Sequence, residues 1–148
     1  MKAGQWPEAQ VELSAWVKEF AGDAAAHTNL GVVYARTGRK DLAGAEFVQA
    51  SVLDPHNAAA QDWLGVLARE MGDLRQAEQA YRRALEADPA DADAHLNLGV
   101  LYERYLNRPA DALQEYRAYR EQGDSTDVRA AVWIADLERM MQQKGSGT

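Results

Sequence analysis

The sequence predicts an all-α protein made of stacked helix pairs, and three observations carry that prediction. The tripeptide Leu-Gly-Val occurs at Leu30-Gly31-Val32, Leu64-Gly65-Val66 and Leu98-Gly99-Val100, 34 residues apart each time. A fixed period of that length marks repeated units that bury their apolar faces on one another, not one closed core. Apolar residues recur at helical spacing over 26–37, 60–71 and 94–105, and again over 41–53, 75–87 and 110–121. That gives two helices per unit. Turn residues separate the stretches: Gly38 and Gly72 within units, Asp54-Pro55 and Asp88-Pro89 between them.

Each element has a local reason. With Leu-Gly at positions 7 and 8 of a 34-residue unit, the units are 24–57, 58–91 and 92–126, the last with one extra residue. The first helix of a unit is helix A and the second helix B. Helix A stops before Gly38 or Gly72, where the reversal favours a residue tolerant of positive φ. Helix B stops at Asp54 or Asp88, because a residue preceding proline is pushed out of the helical region. Unit three has Tyr105-Leu106-Asn107-Arg108-Pro109 in place of that glycine. This predicts a wider turn, with Pro109 in the first turn of the next helix, where proline is tolerated. Glycine at position 8 lies mid-helix, at a cost of roughly 1 kcal/mol relative to alanine. Three such costs imply a packing need. Small residues there and at position 20 (Ala43, Ala77, Ala112) let helices A and B approach closely.

The remaining positions fall into line. Position 11 is Tyr34, Ala68 and Tyr102; position 24 is Phe47, Tyr81 and Tyr116; position 27 is Ala50, Ala84 and Tyr119. Position 32 is Pro55, Pro89 and then Asp124, where the pattern breaks. These offsets resemble the tetratricopeptide repeat, whose signature places Leu-Gly, Tyr, Ala, Phe or Tyr, Ala and Pro there. The resemblance covers nearly the whole chain. It implies a right-handed superhelical solenoid of antiparallel helix pairs.

The two ends differ. Residues 1–23 fit the second half of a preceding unit, with Gly4 at the turn, Trp6 beside it, and Ala9, Leu13 and Trp16 at positions 20, 24 and 27. That predicts a helix B without its helix A, and an apolar stripe of Ala9, Leu13, Trp16 and Phe20 with Val11 and Val17 off it. The uncovered strip fits a longer array, or a natural half-unit packed on a neighbouring helix or a partner chain. Residues 127–141 read as a capping helix A, with Trp133 at position 7, Ile134 replacing the glycine and Leu137 at position 11. Arg129, Asp136, Glu138 and Arg139 supply the polar outer face that a terminal element needs. Residues 142–148 are expected to form a flexible tail.

Composition narrows the function. The chain has 148 residues, 47% of them hydrophobic, enough for one short array. A net charge of −7 argues against nucleic acid, because phosphate binding needs a basic face. It argues equally against an anionic membrane surface. No apolar run approaches the ~18 residues of a membrane span, so no direct membrane insertion is expected. There is no cysteine, which excludes disulfides and thiolate metal sites. The opening residues lack the apolar stretch of a signal peptide. The compartment stays open between the cytoplasm and, had an export signal been removed, the periplasm. The alanine-rich, acidic composition has a bacterial character.

No catalytic constellation is visible, and neither enzyme activity, nor a cofactor, nor a metal is expected. Ser14, Ser51, Ser125 and Ser146 lie in no strand-to-helix nucleophile turn. The glycines form no phosphate-binding loop. His27 and His95 share position 4 of helix A but stand two units apart. Helices pack at about 8–10 Å, which puts the pair beyond shared metal coordination. With His56, they are expected to be solvated or edge-packed. Asp88, Asp91 and Asp93 lack calcium-loop spacing and read as turn and helix-end residues. The tryptophans and tyrosines fall mostly on core positions, not on a platform for bases.

What the resemblance adds is a concave groove, lined in this family by positions 2, 5, 9, 12 and 13 of helix A. Unit one supplies Ala25, Thr28, Val32, Ala35 and Arg36; unit two Ala59, Asp62, Val66, Arg69 and Glu70. Unit three supplies Asp93, Leu96, Val100, Glu103 and Arg104; the cap adds Val128, Ala131, Ala135, Glu138 and Arg139. Val32, Val66, Val100 and Ala135 would form an apolar floor with charges of both signs around it. Such a groove suits an amphipathic helix or an extended peptide. Family members that clamp a terminal carboxylate carry Lys and Asn at positions 5 and 9. Here those positions hold Thr28 and Val32, Asp62 and Val66, Leu96 and Val100, so that mode is not expected. The leading expectation is a non-enzymatic protein–protein interaction module or scaffold that binds a peptide or helix of a partner. The alternatives are a self-assembling scaffold, homo-oligomeric through the N-terminal half-repeat, and the non-catalytic portion of a larger enzyme.

Overall fold

A computed structural model describes residues 5–123 and 127–145. Among them are eight helices and no strand: α1 (Trp6–Glu19), α2 (Ala24–Arg36), α3 (Lys40–Leu53), α4 (Ala58–Glu70), α5 (Leu74–Ala87), α6 (Ala92–Val100), α7 (Pro109–Gln122) and α8 (Val128–Gly145). Pairs α2/α3, α4/α5 and α6/α7 are the three A/B units. Gly4 and Asp124 lie outside the described residues.

The repeat is visible in its caps. Asp23, Asn57 and Asp91 each accept a hydrogen bond from the backbone N–H three residues on, at 3.0, 3.0 and 3.1 Å. Each starts a helix A and satisfies a donor that the helix itself cannot, worth about 1 kcal/mol. Gly38 and Gly72 turn the chain between helices at φ +80° and +83°. In unit three the extra residue is taken up earlier than the sequence suggests. Residues Leu101–Tyr105 form a π-helical turn, with Leu106 N–H donating to Leu101 O at 3.1 Å. Asn107 then adopts φ +50°, the left-handed role that glycine fills elsewhere. Pro109 opens α7 as expected.

The glycines at position 8 seat aromatic rings. A methyl group added at Gly31, Gly65 or Gly99 would lie 2.6, 2.5 or 2.6 Å from Cε1 of Phe47, Tyr81 or Tyr116. All three rings are buried. Neighbouring A helices also touch, α2 with α4 and α4 with α6, whereas the B helices α3, α5 and α7 do not meet comparably. The array therefore curves with its A helices on the inside.

The last helix departs from expectation in two respects. It runs to Gly145, so residues 142–145 continue the helix and are not a tail. Its register also differs. Helix A buries positions 3, 7 and 10 as Ala26, Leu30 and Val33, and again as Ala94, Leu98 and Leu101. In α8 the buried residues are Ala130, Ile134 and Leu137, with the same spacing. Ile134 therefore holds position 7 and Ala135, a small residue, holds the glycine position 8. The cause is one extra residue before α8: eleven separate Tyr119 from Ala130, against ten from Ala50 to Ala60 and from Ala84 to Ala94.

Candidate functional site on the inner face

The inner face is built by α2, α4, α6 and α8. Val32, Val66 and Val100, one repeat apart, are half-buried. Val32 packs beside Phe47, and Val66 and Val100 against the cluster around Tyr81 and Tyr116. Leu96 is half-buried against the same cluster. Each of these side chains therefore serves the core with one side and presents the other.

In the first two units position 5 behaves otherwise. Thr28 and Asp62 are only 7% and 8% exposed, because neighbouring A helices close over them. Thr28 Oγ1 donates to Ala24 O at 2.9 Å and accepts from Asn57 Nδ2 at 2.9 Å. Asn97 Nδ2 donates to both carboxylate oxygens of Asp62, at 3.0 and 3.1 Å. Burial pushes the Asp62 carboxyl up to about 6, with Asp91 and Asp93 adding to the rise and the Asn97 amide opposing it. Both residues are thus inter-repeat ties, not rim groups. Asn57 and Asn97 were not singled out from the sequence. Asn97 follows Leu96 in a row otherwise read as groove lining, and that adjacency was the available signal.

The charged rim is partly engaged. Arg36 is exposed and lies over the Trp63 ring, 5.4 Å from its centroid. Trp63 in turn stacks on Phe47 at 5.6 Å. Glu70 pairs with Lys40 at 2.7 Å, and Glu103 accepts from Tyr116 Oη at 2.6 Å. Arg69 is half-buried and Arg104 exposed. Ala131 and Ala135 are exposed. The one-residue shift takes them off positions 5 and 9, which pass to Val132 and Asp136. The apolar floor therefore ends at Val100.

His56 is exposed, whereas His27 and His95 are packed at helix edges. His27 is buried, its Nδ1 2.6 Å from Glu46 Oε2 and its Nε2 3.2 Å from Ala21 O. His95 repeats the arrangement two units on, with Glu115 at 2.7 Å and Pro89 O at 3.1 Å. Each ties helix A to the helix B of its own unit. Among the described residues no group of three His, Cys, Asp or Glu side chains is placed to hold a metal ion, and no helix is long and apolar enough to cross a membrane.

Helix pairs stacked into a curved array, with an exposed inner face and no assembled reactive groups among the described residues, define a solenoid of the kind that holds other proteins. The family profile of the tetratricopeptide repeat matches residues 1–62 and 64–128. The chain belongs to that family. Solved structures agree on the fold. The crystal structure of MamA has a TM-score of 0.79 and 22% identity, over 94% of this chain and 80% of that one. A structure described as the functional characterization of Pseudomonas aeruginosa PilF has a TM-score of 0.81 and 23% identity, over 95% of this chain and 63% of that one. A second MamA structure has a TM-score of 0.76 and 22% identity, over 92% and 73%.

Proposed function

We propose that the protein is a non-enzymatic interaction module that holds a segment of a partner protein along the inner face of its A helices. One observation carries this reading. Three valines, one per repeat, sit half-buried on the concave side of an array whose A helices face inward. Leu96 widens the apolar strip, and Arg36, Arg69, Arg104 and Glu70 surround it. An apolar line with a mixed polar rim suits an amphipathic helix or an extended segment with spaced apolar side chains.

The experiment is capture from a cell extract on the immobilised chain, with Val66→Glu/Val100→Glu in parallel. The double variant is expected to lose the captured protein while circular dichroism shows unchanged helicity. Because both valines also touch the core, Arg36→Glu/Arg104→Glu provides a second variant at exposed positions. It should weaken capture, with circular dichroism checking that loss of the Arg36–Trp63 contact leaves helicity unchanged. Equal recovery by all three chains would reject the inner face. Self-assembly is a second reading, favoured by the exposed apolar surface of α1, where Val11, Trp16 and Phe20 are 70%, 49% and 44% exposed.

A further inference from the structure

At three junctions a helix B meets the helix A of the next unit: α1 with α2, α3 with α4, and α5 with α6. At the last of these, four side chains fill the seam. Tyr102, at position 11, reaches toward α5, where its Oη donates to Glu78 Oε1 at 2.9 Å and accepts from Arg82 Nη2 at 3.0 Å. Arg108 lies over the ring, 4.4 Å from its centroid, and donates to Glu78 at 3.1 Å. The first junction repeats the scheme. Arg39 lies 4.9 Å from the centroid of the Tyr34 ring and donates to Gln10, the residue equivalent to Glu78.

The middle junction lacks every part of this cluster. Ala68 stands where the others have tyrosine, Gly44 where they have Gln10 or Glu78, Val48 in place of Arg82, and Asp73 in place of the covering arginine. Asp73 instead caps α5, accepting from the Gln76 N–H at 3.0 Å. What remains is a cavity of about 410 Å³ lined by Gly44, Val48, Leu64, Leu67, Ala68 and Met71, a size within the ~300–1,000 Å³ of ligand sites. It opens to solvent, since Val48 is 50% and Met71 85% exposed. The Lys40–Glu70 ion pair borders it. Glu70 aside, no residue of the inner-face site lines it.

We propose that this cavity binds one aromatic ring, the phenylalanine side chain of a partner protein. The occupant takes the place that Tyr34 and Tyr102 fill from within the chain. Those two junctions show the shape that the seam accepts: a six-membered ring between a helix B and the next helix A. Where Glu78 and Arg82 hold the hydroxyl of Tyr102, Gly44 and Val48 offer no polar side chain. A ring without a hydroxyl therefore suits the site, because an unpartnered buried hydroxyl loses its hydration uncompensated. Met71 is an unbranched thioether that can close over the ring, and sulfur–aromatic contacts are favourable. The open side admits a ring carried on a polypeptide.

The test follows the backbone amide NMR signals of Gly44, Val48 and Ala68 in the 148-residue chain as capped tripeptides are added. Ala-Phe-Ala at millimolar concentration should shift all three signals saturably, Ala-Tyr-Ala only at several-fold higher concentration, and Ala-Ala-Ala not at all. Two variants close the site from inside. Ala68→Phe supplies the ring from the chain itself and should abolish the shifts while raising the melting temperature. Gly44→Gln installs the side chain of Gln10, its Cβ meeting only Leu67 Cδ1 at 3.7 Å, and should lose most of the response. No response to Ala-Phe-Ala overturns the proposal, as does an equal response to Ala-Tyr-Ala or an Ala68→Phe chain less stable than wild type. Toluene that shifts these signals where Ala-Phe-Ala does not also overturns it, since the site would then belong to a free small molecule. Val66→Glu/Val100→Glu should respond as wild type does, which separates this site from the inner-face reading; a response lost there would move the ring to the inner face and overturn the assignment.

Discussion

Gly65→Ala tests why the repeat keeps glycine in the middle of a helix. The new methyl would lie 2.5 Å from Cε1, 2.6 Å from Cδ1 and 3.0 Å from Cζ of Tyr81. Carbon atoms normally settle at about 3.5–4.0 Å. The ring cannot swing away, because Tyr81 is 0% exposed and lies in the middle unit. Overpacking of a closed site costs about 1–3 kcal/mol, occasionally more. Against this stands the helix propensity of alanine, favourable by roughly 1 kcal/mol over glycine. With three contacts this short, the net expectation is a loss of about 2 kcal/mol. Urea unfolding followed by circular dichroism measures it. Tyr81→Leu alone opens a cavity and should cost a similar amount, about 2 kcal/mol. In that background the methyl has room. Gly65→Ala should then stabilise by roughly 1 kcal/mol, which makes the coupling between the two sites about 3 kcal/mol. A Gly65→Ala chain as stable as wild type, or two substitutions whose effects simply add, would refute the account of the glycine.

Other outcomes follow from single contacts. The Asp62 carboxyl is raised from 3.8 to about 6, so the folded chain binds that proton more tightly than the unfolded one. Its contribution is fully present in acid and is lost as pH climbs through this window, by up to about 3 kcal/mol. Asp62→Asn should remove that fall and be the more stable protein at neutral pH; thermal melts across the window that run parallel for the two chains would contradict it. Gly72 has φ +83° and nothing within 4 Å of an added methyl. Gly72→Ala should therefore lower stability by about 1–2 kcal/mol through backbone strain alone, and an unchanged melting temperature would argue against that strain.

Much of the fold was legible because its cause is local and repeated. Leu-Gly, the ring at position 24 and the Asp-Pro stops each report a steric demand that recurs every 34 residues. The site was less legible. Thr28 and Asp62 occupy positions read as groove lining, yet whether a neighbouring helix closes over them depends on the approach of α2, α4 and α6, which no single helix encodes. Asp62 is carried inside by an amide 35 residues away. The tie made by His27 was not legible because its partner, Glu46, belongs to the facing helix. The register of α8 escaped for a different reason. Trp133 resembles a core residue more than Ile134 does and does touch Tyr116 of α7, and only the length of the preceding junction shows that Ile134 holds the buried position 7.

The inner helices are fastened to one another by side-chain amides, Asn57 to Thr28 and Asn97 to Asp62, and the outer helices by arginines at their starts, Arg39 to Gln10 and Arg108 to Glu78. The stack is thus tied along both margins, by neutral or singly charged amide contacts inside and by guanidinium contacts outside. On the inner side, two small polar knots help to set the span of the trough. Loosening either one would change how widely the protein can embrace what it holds, with no residue of the lining itself altered.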